Sequence, residues 1–191
     1  MELMLESERL LLSLPEARLA SAALDFHLRN ADHLAPWSPP RPAGFGTLAF
    51  WNEYVEKSQI AFLQGSAVRL WMREKSGPAQ IIGSIGFSQI VRGPFCNGVL
   101  GYQIDQTFEG KGLMSEALRR GINYIFGEQK LHRINANYRP ENVRSGRLLA
   151  RLGFHTDGFA PGYLFIDGDW RDHIQTSLIN DAFRPEWLIT R

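Results

Sequence analysis

The chain has 191 residues, of which 44% are hydrophobic and 21% charged, a globular composition that excludes a disordered polymer and fits one domain spanning 1–191. A formal net charge of +1 provides no broad positive field, which argues against nucleic acid as the principal ligand. Cys96 is the only cysteine, so an intrachain disulfide and a multi-cysteine zinc site are excluded. The acidic start lacks the basic-then-apolar pattern of a leader, and no apolar run reaches membrane length; a cytoplasmic location away from membranes is expected.

Residues 9–14 form an apolar run closed by Pro15, which reads as a strand, and residues 16–28 space Leu19, Ala23, Phe26 and His27 as on one helical face. Between 35 and 46, Pro36, Pro39, Pro40 and Pro42 exclude regular structure, and Thr47 offers a capping hydroxyl for a helix reaching residue 63. Strands are expected at 67–74, 80–91 and 97–104, separated by Ser76-Gly77-Pro78 and Arg92-Gly93-Pro94 as in an antiparallel meander. Residues 114–126 carry Leu118, Ile122, Ile125 and Phe126 on one face of an amphipathic helix. A strand at 133–138, a helix at 142–152 stopped by Gly153, and a hairpin of 163–166 with 170–179 around Asp167-Gly168 complete the order. This succession predicts an α/β (α+β) architecture, a mixed central sheet with helices on both faces.

The most informative local feature lies where Gln103-Ile104-Asp105 ends a strand and Phe108-Glu109-Gly110-Lys111-Gly112-Leu113-Met114-Ser115 enters the amphipathic helix. The first N–H groups of a helix lack intrahelical partners, and the macrodipole adds roughly half a positive charge there, so a pyrophosphate can be held without many basic side chains. Taken alone, the two glycines equally suit a tight strand-to-helix connection. They do not form a Walker loop, and Ser115 stands where a dinucleotide fingerprint needs its third glycine.

A second strand-helix unit follows, His132-Arg133-Ile134-Asn135-Ala136-Asn137-Tyr138 and then a helix from Asn142 to Gly153-Phe154. The two units together resemble the GNAT acetyltransferase family, whose signatures are Arg/Gln-x-x-Gly-x-Gly/Ala and Asn-x-x-Ser/Ala followed by Gly-Phe. They read here as Glu109-x-x-Gly112-x-Met114, Asn142-x-x-Ser145 and Gly153-Phe154. Leu100-Gly101-Tyr102, Arg144-Ser145-Gly146, Ile166-Asp167-Gly168 and Trp170-Arg171-Asp172-His173 extend the resemblance to the ribosomal-protein-alanine N-acetyltransferases of the RimJ type.

The resemblance implies the GNAT acyl-CoA N-acyltransferase fold, in which parallel fourth and fifth strands, here 97–104 and 133–138, splay to admit acetyl-CoA. It implies cofactor contacts at Gln103, Ile104, Glu109, Gly110, Lys111, Gly112, Leu113, Met114, Ser115, Asn142 and Ser145. It also implies Ser145, matching a serine of the ribosomal-protein branch, as proton donor to the leaving thiolate. Leu149 fills the position where many members carry a tyrosine acid, a departure that favours the alternative of a non-catalytic CoA-binding factor. The acceptor implied is the N-terminal alanine of a small-subunit ribosomal protein, acetylated by direct transfer; monomer and dimer are both open.

Each residue also has a plainer role. Asn142 is a good helix N-cap. Lys111 and Arg144 suit the 3′-phosphate end of CoA, whereas Arg147 and Arg151 read as a solvated face. His132, His155 and His173 are scattered, without metal-ligand spacing. Trp37, Phe45 and Trp51 are candidates to shape the acceptor cleft, Trp51 being better explained by core packing. Tyr163 and Asp167 are hairpin residues, and no general base stands out. A protein α-amine costs under about 1 kcal/mol to deprotonate near pH 7.5, against about 4 for lysine, which favours an N-terminal acceptor. A small-molecule amine would predict an acidic pocket, and a non-catalytic CoA-binding factor would predict binding without thiol release.

Overall fold

Among the described residues eight strands form one sheet: β1 (Met4–Glu6), β2 (Leu10–Ser13), β3 (Val68–Glu74), β4 (Gly83–Val91), β5 (Asn97–Ile104), β6 (Arg133–Tyr138), β7 (His155–Ile166) and β8 (Asp169–Ile179). The computed structural model describes residues 3–188. The strand order is β1-β2-β3-β4-β5-β6-β8-β7, and β5 with β6 is the parallel pair in an otherwise antiparallel sheet. Helices α1 (Ala20–Arg29), α2 (Ala31–Leu34), α3 (Leu48–Leu63), α4 (Leu113–Gly127) and α5 (Val143–Arg151) complete the fold.

Strand alternation sends side chains to both faces. Val68, Leu70 and Met72 of β3 join a core with Ile85, Phe87, Leu118 and Ile125 beneath α4, while Trp71 joins a second core with Phe26, Trp51 and Val55 beneath α1 and α3. Leu118, Ile122 and Ile125 of the expected α4 stripe are buried and Phe126 is half-buried against the same core, and the helix lies so close to β4 that a Cβ at Gly121 would stand 2.6 Å from Ile85 Cδ1. Thr47 caps α3 as expected, its hydroxyl accepting from Phe50 N–H at 3.3 Å.

The structure differs from the sequence reading in four elements. Helix α2 is unexpected, and a 3-10 turn covers Ala35–Trp37 where the sequence reading excludes regular structure, Pro36 being tolerated in a first helical turn. The other two are strands. Met4–Glu6 forms an extra strand against β2, so the family's fourth and fifth strands are β5 and β6 here. Strand β7 begins at His155 rather than near 163, running through Gly158, Pro161 and Gly162 with register shifts against β8. It is an edge strand, so a proline lacking an N–H disturbs no second neighbour.

The feature that makes a site is a partial separation. Strands β5 and β6 pair over Asn97↔Arg133, Gly98↔Ile134 and Val99↔Asn135, and not beyond. Meanwhile β5 stays on β4 as far as Gly83↔Ile104, and β6 stays on β8 as far as Tyr138↔Ile174. The result is a wedge inside the sheet, with unpaired backbone groups along both lips.

The end of β5 is fixed by Asp105. Its carboxylate accepts from Arg29 Nε at 2.6 Å, Asn30 Nδ2 at 3.0 Å, and Thr107 N and Oγ1 at 2.9 and 2.7 Å. Burial alone would raise this carboxyl's pKa, but the hydrogen bonds from Asn30, Thr107 and Arg29 outweigh it and hold it at about 2. The connection leaving the wedge is thereby tied to the end of α1.

Candidate active site

The glycine-rich turn enters α4 with Gly110 and Gly112 at φ 74° and 78°, left-handed conformations that favour glycine. Gly112 is the N-cap of α4 and supplies no side-chain acceptor, so the opening N–H groups of that helix stay available. Helix α5 differs, because Asn142 Oδ1 accepts from Ser145 N–H at 3.0 Å. The turn is held from outside by Arg9, which donates to the Lys111 carbonyl at 3.1 Å and to Glu116 at 2.7 Å. Burial works against ionisation of Glu116, but hydrogen bonds from Arg9 and Ser7 hold its carboxyl below the usual range.

A cleft of about 510 Å³ runs from the wedge to this turn. Gln103 and Ile104 of β5 line it, with Glu109, Gly110 and Gly112 of the turn, Leu113, Met114 and Ser115 of α4, and Asn142 and Ser145 at the start of α5. Lys111 stands outside this lining, its ammonium 4.7 Å from the Phe108 ring centroid. The Glu109 carboxylate forms an ion pair with Arg144 and lies 3.4 Å from His33 Nε2. Arg151 lines the cleft despite its expected place on a solvated face, whereas Arg147 does not.

A second chamber of about 390 Å³ opens on the other side of the wedge, among α3, β3, β6 and β8. Its charged or protonatable lining includes Arg69, Arg139 and His173, and no carboxylate lines it among the described residues. Arg139 donates to the Pro36 carbonyl at 2.6 Å and lies 5.4 Å from the Trp37 ring centroid, drawing the proline-rich segment over the chamber. Trp37 lines both spaces. Phe45 and Trp51 instead pack around His27, with Trp51 stacked on it at 4.4 Å. Burial, with Arg41 and Arg29 nearby, pushes the His27 imidazole down to about 3.

The chambers meet at Tyr102 and Ser145, whose hydroxyl oxygens are 2.6 Å apart. Burial pushes the Tyr102 phenol up to about 12, the Ser145 hydrogen bond acting in the opposite sense. Sequence reasoning used Tyr102 only as part of a Leu-Gly-Tyr run. A tyrosine on a half-buried strand reads as packing, and its partner lies in another element. Leu149 is buried in the core. Among the described residues, no cluster of three or more His, Cys, Asp or Glu side chains is suited to a metal, and no helix is long and apolar enough to cross a membrane.

An internal strand edge leading to an uncapped helix start suits an extended molecule carrying amides and a terminal anion. The sequence profile of the Acetyltransferase (GNAT) domain family matches residues 9–155. The chain belongs to that family: it is an N-acetyltransferase with the GNAT fold, and acetyl-CoA is its acetyl donor.

Within the family it is closely related to the RimJ type. It is 42% identical over 183 residues to the ribosomal protein uS5-alanine N-acetyltransferase of Escherichia coli (strain K12), covering 96% of this chain and 92% of that protein. A crystal structure of ribosomal-protein-S5-alanine acetyltransferase from Vibrio fischeri is similar with a TM-score of 0.91 and 37% identity, over 96% of this chain and 100% of that one. Mycobacterium smegmatis RimJ in complex with CoA-disulfide is similar with a TM-score of 0.84 and 25% identity, over 93% of this chain and 86% of that one.

Proposed function

We propose that the enzyme acetylates the N-terminal α-amine, alanine first, of a small-subunit ribosomal protein. The observation that carries this reading is the chamber beside Tyr102 and Ser145, which bears arginines and no carboxylate. A polycationic small amine would need acidic partners there, whereas a neutral α-amine does not. The identity to the uS5-alanine enzyme supports the ribosomal acceptor.

In this reading acetyl-CoA lies along the free lip of β5, past Gln103 and Ile104, with its pyrophosphate at the turn of Glu109, Gly110 and Gly112 and the first N–H groups of α4 at Leu113, Met114 and Ser115. Lys111 acts through its backbone in the same turn. Asn142 holds the start of α5, which brings Ser145 to the junction. The amine attacks the acetyl carbonyl directly, backbone N–H groups of β5 stabilise the oxyanion, and CoA leaves as a thiol. Ser145 passes a proton to the thiolate while Tyr102 replaces it, so the pair avoids leaving a bare serine alkoxide.

Thiol release should be measured with acetyl-CoA and an alanine-starting peptide of a small-subunit ribosomal protein, beside the same peptide with its N-terminus blocked and a polyamine. We expect release with the free peptide and mass spectrometry placing acetyl on its α-amine. Acetyl found only on lysine side chains, or the polyamine turning over faster, would overturn the reading.

A further inference from the structure

Direct transfer to an amine leaves one chemical need unmet, a group to take the proton that the amine nitrogen sheds. The acceptor chamber narrows the choice. Arg69 and Arg139 are guanidinium groups with no acceptor. No carboxylate lines the chamber among the described residues. Its tyrosines are phenols, weak acids that donate at neutral pH.

The remaining protonatable side chain is His173 on β8, which lines the chamber and is 4% exposed. Its Nδ1 is 3.0 Å from the Arg171 carbonyl oxygen. A carbonyl can only accept, so Nδ1 carries the hydrogen and the lone pair of a neutral ring resides on Nε2. The ring is held by Tyr163, 5.3 Å between centroids, and Tyr163 is itself fixed because its hydroxyl accepts from Asn137 Nδ2 at 2.9 Å. The imidazole therefore has one nitrogen committed to the backbone, a braced ring plane, and one basic nitrogen left for the chamber.

We propose that His173 is the general base of the transfer, its Nε2 removing the proton of the attacking amine. The inference rests on the amine-acceptor reading above. As the C–N bond forms, the nitrogen's proton moves to Nε2 and the carbonyl electrons move to oxygen. As the tetrahedral adduct collapses, the C–S bond breaks with its electron pair on sulfur, which takes a proton through Ser145 from Tyr102. The imidazolium then returns one proton through water to the phenolate, so a neutral amine and acetyl-CoA give amide and free thiol without a net proton.

The test separates a base from a packing residue. His173→Asn keeps a donor near the Nδ1 position for the Arg171 carbonyl but removes Nε2. We expect kcat to fall about a hundredfold, with the acetyl-CoA dissociation constant, measured by calorimetry, within twofold of wild type. His173→Ala should regain turnover when imidazoles are added, more with the more basic ones. If His173→Asn fails to fold, His173→Gln takes its place under the same expectation. A kcat within threefold of wild type in the folded variant would overturn the proposal, as would a hundredfold loss that no imidazole restores. Wild type is assayed first: if it ignores the alanine peptide, the acceptor reading fails by itself, and the variants are compared on the amine that wild type does acetylate.

Discussion

The cleft beside α4 and the chamber beside β8 share a wall at Tyr102 and Ser145 but are made of different material. The first is framed by backbone features, a strand lip, a glycine turn and two helix starts, with side chains such as His33, Trp37, Phe108 and Leu148 closing its sides. The second is side chains, with Trp37, Tyr54, Arg69, Arg139 and His173 arriving from distant segments. A backbone-built site tolerates Glu109 and Met114 where the family signature has other residues, because the N–H groups it offers do not depend on them. A side-chain site changes its preference with each substitution, so under the proposed function acceptor specificity would belong to the second chamber. The helix starts repeat the contrast, with α4 opening on uncapped Gly112 and α5 using Asn142 to satisfy Ser145 N–H.

Two perturbations test this division and a third tests the packing around His27. The largest effect is expected at the shared wall: Tyr102→Phe should lower kcat about a hundredfold while calorimetry finds acetyl-CoA affinity unchanged. A normal kcat would remove the phenol from the proton path. Next, Gly112→Val forces a β-branched residue into a left-handed conformation, at about 1–2 kcal/mol, and distorts the α4 entrance. Acetyl-CoA should bind about tenfold more weakly, with KM for the acceptor little changed; equal losses for both substrates would mean the two sides are not separable.

The smallest effect concerns acid. The His27 imidazole, near 3 in the folded protein against 6.5 when free, is neutral in the fold and protonated in the unfolded chain below 6.5. Its environment is therefore undisturbed above pH 6.5, and stability is lost as pH falls from there toward 3. Between pH 7 and 5 the loss should be on the order of 1 kcal/mol after allowance for partial exposure. Asp105 and Glu116, whose carboxyls are held low, lose their contributions only as pH falls into the ordinary carboxylate range and on through their lower folded values. Urea titrations at the two pH values should find the loss in wild type and a flatter response in His27→Leu; the same slope in both would assign the acid sensitivity elsewhere.

What the sequence revealed follows the same line. Gly110, Gly112 and Asn142 were readable because a turn and a cap are local, and local chemistry leaves a local pattern. Most of the strands and helices were readable for the same reason, through alternation and helical spacing. Strand β1 was not, since three residues are too few for a period, and Gly158, Pro161 and Gly162 hid the first half of β7 by looking like a loop. Tyr102 escaped because its hydroxyl partner, Ser145 on α5, lies 43 residues away, and His173 escaped because it sits in a strand position that packing alone would explain. Arg139 is similar, its tie to Pro36 spanning 103 residues.

The wedge that begins after Val99 and Asn135 also has a thermodynamic consequence. Outer edges of a sheet are hydrated by bulk solvent, but this edge faces inward, so in the free enzyme its N–H and C=O groups must be met by confined water. In the proposed binding mode, loading the donor would exchange that water for amide partners of nearly equal strength. The hydrogen bonds along the lip therefore set the ligand's alignment and register more than its affinity, and much of the driving force for occupancy comes from solvent returned to bulk.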